Sequence, residues 1–259
     1  MFGFPKVEYR IFKKNFLKTV VFQINFEKPS DEFIDYSDQI KNLFLADFPR
    51  FNSSKGKGFS ISFTNDKSPD FQETEEGHNI ELRSQDGQSI ININQNSLTY
   101  TLTGKTYSSF SSIKSNLTKI SKLLSLCSIN QLNRVAVRKI NIVEFKNEDE
   151  NPSNILDFMI NPNLIGNLNY IPNRESINHC IQSINLRNND NYLNIKYGLN
   201  IPPQLDSNIG QLIIDIDLYK VGSVEVEELF STFKDINSET FNIFNWVINE
   251  NTIKILNDE

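Results

Sequence analysis

Asp215 and Asp217 stand two residues apart in LIIDIDLY, and on a strand that spacing sets both carboxylates side by side on one face. Paired carboxylates of this kind can hold a divalent ion or divide the acid and base roles of a hydrolysis. The solvent side of any amphipathic strand produces the same spacing, and that plainer reading is favoured. The other groups able to do chemistry are scattered. His78 and His179 have no Cys, His or Glu at ligand spacing. SSKGKGFS (53–60) carries glycines and lysines that suit a phosphate but lacks the spacing and the Lys-Ser/Thr ending of a P-loop, so it reads as a turn into a strand. No serine sits in a G-x-S-x-G setting, and the acidic ETEEG (73–77) reads as a solvated loop. The expectation is a non-enzymatic protein with no catalytic residue, metal or cofactor. A metal-dependent hydrolase using Asp215 and Asp217 stands as a lower alternative.

The totals narrow the class. A chain of 259 residues with 38% hydrophobic residues can bury a sizeable core, and 20 Phe against 1 Trp make ring packing a large part of it. The formal charge of -6 and pI near 5.1 argue against a surface built throughout to neutralise phosphates. A local patch of Lys13, Lys14, Lys18, Lys55 and Lys57 keeps nucleic-acid binding as the second reading. Cys127 and Cys180 lie far apart without ligand spacing and read as small core residues of a reducing compartment. The opening MFGFPKVEYRIFKKNFLKTVVF has no uninterrupted apolar segment, so no membrane association is expected and the cytoplasm is the expected location.

Hydrophobic periodicity supplies the elements that must position these residues. KTVVFQINF alternates as a strand, Pro29 to Asp31 announce a helix start, and Phe33, Tyr36, Ile40, Leu43 and Phe44 follow at helical spacing up to Pro49. Short strands come next, with Phe59, Ile61 and Phe63 in alternation, then IELRS and SIININ joined by the turn pair Asp86-Gly87, then Leu98, Tyr100 and Leu102. Ile113, Leu117, Ile120, Leu124 and Cys127 form one helical stripe. From RVAVRKINIVEF the order repeats: strand, a short NPSNILDFMI helix, three strands, and a helical tail in which a fresh cap at Ser238 starts TFNIFNWVI. The fold expected is α+β: one domain over 1–259, with duplicated β-α-β(3-4)-α units in pseudo-repeat halves 1–130 and 131–259. Together they form one curved antiparallel sheet with helices on one face.

In the last two strands the alternation is clean. Leu212, Ile214, Ile216 and Leu218 oppose Asp215 and Asp217, and Leu193, Ile195, Tyr197 and Leu199 oppose Asn194 and Lys196. RVAVRKINIVEF changes phase, since Val135 and Val137 occupy one parity and Ile140 and Ile142 the other. A β-bulge at Arg138-Lys139 would restore both pairs to the core and turn Arg138 and Asn141 toward the open face. The candidate binding residues are therefore Arg138, Asn141, Asn194, Lys196, Asp215 and Asp217.

The motifs VRKIN (137–141), VVFQINF, FPR (48–50), LIIDIDLY and INSETFNIFNWVI resemble a sporadically distributed bacterial and archaeal family of about this length with no established activity. Lys139 departs from the aromatic expected there. The resemblance implies a duplicated saddle like that of TATA-binding protein, no catalytic residues, and an antitoxin, immunity or defence-associated role. The expected open face also carries Ser60, Ser62, Thr64, Glu81, Arg83, Thr99 and Thr101, a mixture that attracts phosphate no more than it repels it. The expectation is a binding protein whose partner is another protein.

Overall fold

The computed structural model describes residues 1–26, 32–62, 70–146, 152–174, 177, 179–200 and 209–258, without the side chains at 32, 55–62, 70–78, 152, 153 and 169. The expected helix start at Pro29 to Asp31, and Phe63 and Thr64, lie outside the described residues. The strands are β1 (Leu17–Phe26), β2 (Arg50–Ser62), β3 (Asp70–Arg83), β4 (Ser89–Ile93), β5 (Ser97–Thr103), β6 (Gln131–Lys146), β7 (His179–Asn188), β8 (Asn191–Asn200) and β9 (Ile209–Glu225). They form one 9-stranded antiparallel sheet in the order β2-β3-β4-β5-β1-β6-β9-β8-β7. Among the described residues there are seven α-helices: α1 (Glu32–Asp35), α2 (Ser37–Phe44), α3 (Lys114–Leu126), α4 (Pro152–Met159), α5 (Pro162–Ile165), α6 (Leu229–Val247) and α7 (Glu250–Asn257). The α+β class is as expected.

One parity of each central strand is buried beneath the helices. Val20, Phe22 and Ile24 of β1, Val135 and Val137 of β6, and Leu212, Ile214, Ile216 and Leu218 of β9 are all in the core. The longest helix, α6, lies across β6 and β9, and its Phe233 meets Phe22 edge-on at 5.3 Å. Ile40 and Phe44 of α2, and Leu117, Ile120 and Leu124 of α3, bury the stripes read from their spacing. At roughly 25 cal/mol per Å² of apolar area removed from water, this one-sided layer is the main favourable contribution to folding. The Asp86-Gly87 turn is as expected: Gly87 has φ 71°, and the Asp86 carboxylate accepts from the Ser84 hydroxyl at 2.6 Å and the Gln88 N–H at 3.0 Å.

Residues 1–16, which have no helix or strand, pack along α6. Aromatic contacts hold them there: Phe4 meets Trp246 at 5.0 Å, and Tyr9 meets Phe241 at 5.1 Å. The Lys14 N–H donates to the Leu256 carbonyl at 2.9 Å, tying the segment to α7.

Three expectations are corrected. No bulge interrupts β6 at Arg138-Lys139, because its pairing with β9 runs unbroken from Arg134↔Val221 to Lys146↔Ile209. The irregularity lies one strand away, in β1 at Lys18, between the pairs Leu17↔Asn141 and Thr19↔Ile140. An unbroken ladder pairs β6 with β9 from Ile209 to Val221, and those backbone bonds outweigh burying two isoleucines. No fresh cap forms at Ser238, since α6 passes straight through and the Ser238 hydroxyl donates back to the Lys234 carbonyl at 2.9 Å. SSKGKGFS and ETEEG are neither turn nor loop, because both belong to the long β2–β3 hairpin, whose backbone pairing does not need alternating apolar residues.

Candidate functional site

On the side of the sheet opposite α6, β6, β9, β8 and β7 present their side chains in rows set by the register. One row reads Arg138, Asp217, Asn194, Asn185, and the next Ile140, Asp215, Lys196, Ser183. Beyond these lies an apolar row of Ile142, Ile213, Gly198 and Ile181; on the other side lies Ala136, Tyr219, Tyr192, Arg187. Arg138, Asn194, Lys196, Asp215 and Asp217 thus come together as expected, around a cleft of about 400 Å³ also lined by Ser183 and Asn185. Gly198 is needed where it stands: its φ is 147°, and a Cβ would lie 1.8 Å from the Cys180 carbonyl oxygen.

Diagonal pairing ties the rows together. The Arg138 guanidinium donates twice to Asp215, Nε to Oδ1 at 2.9 Å and Nη2 to Oδ2 at 2.7 Å. This bidentate geometry fixes both groups and raises the Arg138 pKa, chiefly through the hydrogen bond to Asp215. Asp217 lies 3.6 Å from Arg134. Burial raises the Asp217 pKa, while Arg134, Arg138 and a hydrogen bond from Asn194 pull it down. The Tyr192 and Tyr219 rings stack at 5.2 Å, with Arg187 over the outer face of one and Arg134 over that of the other. Among the described residues Lys196 is exposed and makes no ion pair within the chain.

Asn141 is the one candidate residue that does not join this face. With β6 unbroken, Lys139 and Asn141 share the buried parity of Val135 and Val137, and Ile140 and Ile142 take the open side in their place. Asn141 is 7% exposed and donates from Nδ2 to the Ile214 carbonyl at 3.3 Å. It faces a second cavity, of about 100 Å³, lined by β6, β9, α6, α7, the loop after β5 and the N-terminal segment.

Lys139 projects into that cavity, and no carboxylate lines it among the described residues. The Lys139 ammonium lies over the Tyr107 ring, 5.7 Å from its centroid. Burial lowers the Lys139 pKa to about 7. The Tyr107 hydroxyl donates to Asn237 Oδ1 at 2.8 Å, and burial pushes its own pKa up. A lysine in phase with Val135 and Val137 was the available signal for this site.

The remaining candidates do not assemble. His179 is an exposed residue beside Asn200, and the side chain of His78 lies outside the described residues. No group of three or more His, Cys, Asp or Glu able to hold a metal occurs among the described residues. Lys14 pairs with Asp258 at 2.6 Å, while Lys13 and Lys18 are exposed; the side chains of Lys55 and Lys57 lie outside the described residues. Cys127 is buried, Cys180 is half-buried, and neither forms a disulfide. No helix among the described residues is long and apolar enough to cross a membrane. No protein-family model matches the chain, and no curated protein matches it in sequence, so the resemblance drawn from VRKIN and its companion motifs stands on those motifs alone.

Proposed function

We propose that the chain is a non-enzymatic binding protein whose open sheet face, around Arg138, Asn194, Lys196, Asp215 and Asp217, engages another protein. The observation that carries this reading is the row pattern itself. An apolar strip of Ile142, Ile213 and Ile181 borders two rows of charged and polar side chains, of which Arg138, Ser183, Asn185 and Lys196 are exposed. Apolar contacts beside oriented polar groups are the anatomy of a specific interface. Arg138 is held rigid by Asp215, so little side-chain entropy is lost when it meets a partner. The partner that fits presents carboxylates to Lys196 and Arg138 and an apolar side chain to the isoleucine strip. A cytoplasmic antitoxin, immunity or defence-associated role is the setting that the family resemblance suggests.

The same reading includes a duplicated, saddle-shaped architecture over a single domain. Support comes from element order: β1, helices, four strands and a helix in 1–130 are followed by β6, helices, three strands and helices in 131–259. The orders β2-β3-β4-β5-β1 and β6-β9-β8-β7 place the first strand of each half at the centre. The nucleic-acid alternative draws less support on this face, because the rings of Tyr192 and Tyr219 are already in contact with each other and with Arg187 and Arg134. A hydrolase would need Asp215 to exchange its bidentate arginine for a metal ion.

The test is co-purification from the native host using unaltered chain, Lys196→Glu, Ile142→Asp and the control Thr101→Glu, which lies on the open face of the other half. A protein retained by the first and the control but lost from the two middle variants supports the proposal. Retention of no protein, or equal retention by all four, overturns it.

A further inference from the structure

We infer that the cavity between the N-terminal segment and β6 is a binding site for a small organic carboxylate, with Lys139 as the group that meets its charge. This site lies on the opposite side of the sheet from the proposed docking face and does not depend on it. The cavity is lined by two cationic side chains, Lys139 and Arg10, and among the described residues by no anionic one. A buried ammonium with no carboxylate is costly, and its Tyr107 ring contact offsets only part of that cost. An anion entering the cavity supplies the missing partner.

The walls say what kind of anion. Asn15 and Ser108 offer hydrogen-bonding groups, whereas Phe12, Phe16, Phe241, Phe244, Ile216 and Leu256 make most of the surface apolar. Inorganic phosphate, strongly hydrated on every side, would lose more water here than the polar groups replace. A carboxylate with a short hydrocarbon tail divides itself between the two kinds of wall. Size points the same way: about 100 Å³ is smaller than the roughly 150 Å³ apolar cavity that admits a benzene-sized guest, and suits a short-chain acid. Imine chemistry with a carbonyl compound is the less supported use of this amine, because no lining carboxylate is placed to move the protons that water loss requires.

Access is controlled by the N-terminal segment. Residues 9–16 form one wall: Tyr9–Phe241 and Phe12–Phe244 ring contacts hold it to α6, the Lys14 N–H donates to Leu256 of α7, and the Phe16 carbonyl accepts from the Ile142 N–H of β6 at 2.9 Å. The part before Lys14 can open without breaking a strand pairing.

Butyrate is the probe. Calorimetric titration of the full chain with sodium butyrate is compared, at constant ionic strength, with butyramide, sodium chloride and inorganic phosphate. The expected result is saturable butyrate binding, with butyramide and phosphate each at least about tenfold weaker. Lys139→Met is expected to remove the difference between butyrate and butyramide. Butyrate affinity in the unaltered protein is expected to fall about tenfold per pH unit above about 7, as Lys139 loses its proton. The other titratable or charged groups facing the cavity are Tyr9 and Arg10 from the N-terminal segment and Tyr107 from the loop after β5; α6, α7 and β9 contribute none. Equal binding of butyrate and butyramide, tighter binding of phosphate, or a flat pH profile overturns the inference. The three unaltered-protein comparisons decide it even if the variant does not fold.

Discussion

Arg138 and Lys139 are consecutive cations on one strand, and they live in opposite surroundings. The Arg138 side chain is 47% exposed and grips Asp215 through two hydrogen bonds. Lys139 points the other way, among rings, hydroxyls and amides, with no carboxylate in reach among the described residues. The pKa of one is raised by its partner, and that of the other is lowered to about 7 by burial. Formal charge alone therefore says little about what a residue does in this sheet. Alternation sends neighbours to different solvents, and the surroundings decide whether a cation is a fixed contact or a group that exchanges its proton.

The largest effect that would sharpen this contrast is expected from Lys139→Met. An ordinary lysine titrates at 10.5, so the unfolded chain binds a proton more tightly than the folded one between about pH 7 and that value. Stability then rises with pH through the window, by up to about 1.4 kcal/mol per unit, and the cost of burying the ammonium is full below it. Methionine keeps the shape without the charge, so the variant should be more stable by about 2–4 kcal/mol at about pH 6, with the gain shrinking toward pH 9. Urea unfolding of both proteins across pH measures this. A gain that is absent, or that does not change with pH, would place Lys139 in water and erase the contrast.

A smaller effect is expected on the open face. Asp215→Ala should cost about 1–2 kcal/mol, since two charge-assisted hydrogen bonds are lost at a half-exposed arginine. A double-mutant cycle with Arg138→Ala should return a coupling of about 1 kcal/mol that weakens on going from about 0.05 to 0.5 M salt. The Lys139→Met gain should respond much less to the same salt change, because its cause is desolvation. Equal salt responses would break the distinction between the two cations.

Much of this arrangement was legible in the sequence, and what was missed has physical causes. The clean period-two patterns of β8 and β9 placed Asn194, Lys196, Asp215 and Asp217 on the open face, because one covered face of an antiparallel sheet leaves that signature. Arg138 reaches the open face without the bulge that the phase change in RVAVRKINIVEF suggests, because β6 holds its register and leaves Ile140 and Ile142 outside. The extra residue is Lys18, in the neighbouring strand, and nothing in the local pattern of β6 reveals an irregularity across a ladder. Asn141 followed the imagined bulge to the wrong side. The cavity was invisible for a further reason. One of its walls is the segment before β1, whose residues have no helix or strand period to mark what they cover. The continuous α6 was split in expectation because a mid-helix Ser resembles a cap until its hydroxyl is seen bonded to the preceding turn.

The smallest expected effect isolates the ring beneath Lys139. Tyr107→Phe keeps the aromatic face and removes only the hydroxyl bonded to Asn237, so it should leave the Lys139 titration nearly in place while costing about 1–2 kcal/mol of stability. Tyr107→Leu removes the face as well. A cation–π contact of about 0.5–1 kcal/mol corresponds to less than one pH unit, so Leu should lower the Lys139 midpoint by about half a unit relative to Phe. Lysine Nζ resonances followed by NMR over pH read this directly. The comparison matters because it separates two sources of the shift. If Leu and Phe titrate alike, the ring contributes nothing to holding the proton and desolvation acts alone. If Leu moves the midpoint upward, the cavity has opened to water, and the barrier between Lys139 and solvent is Tyr107 itself.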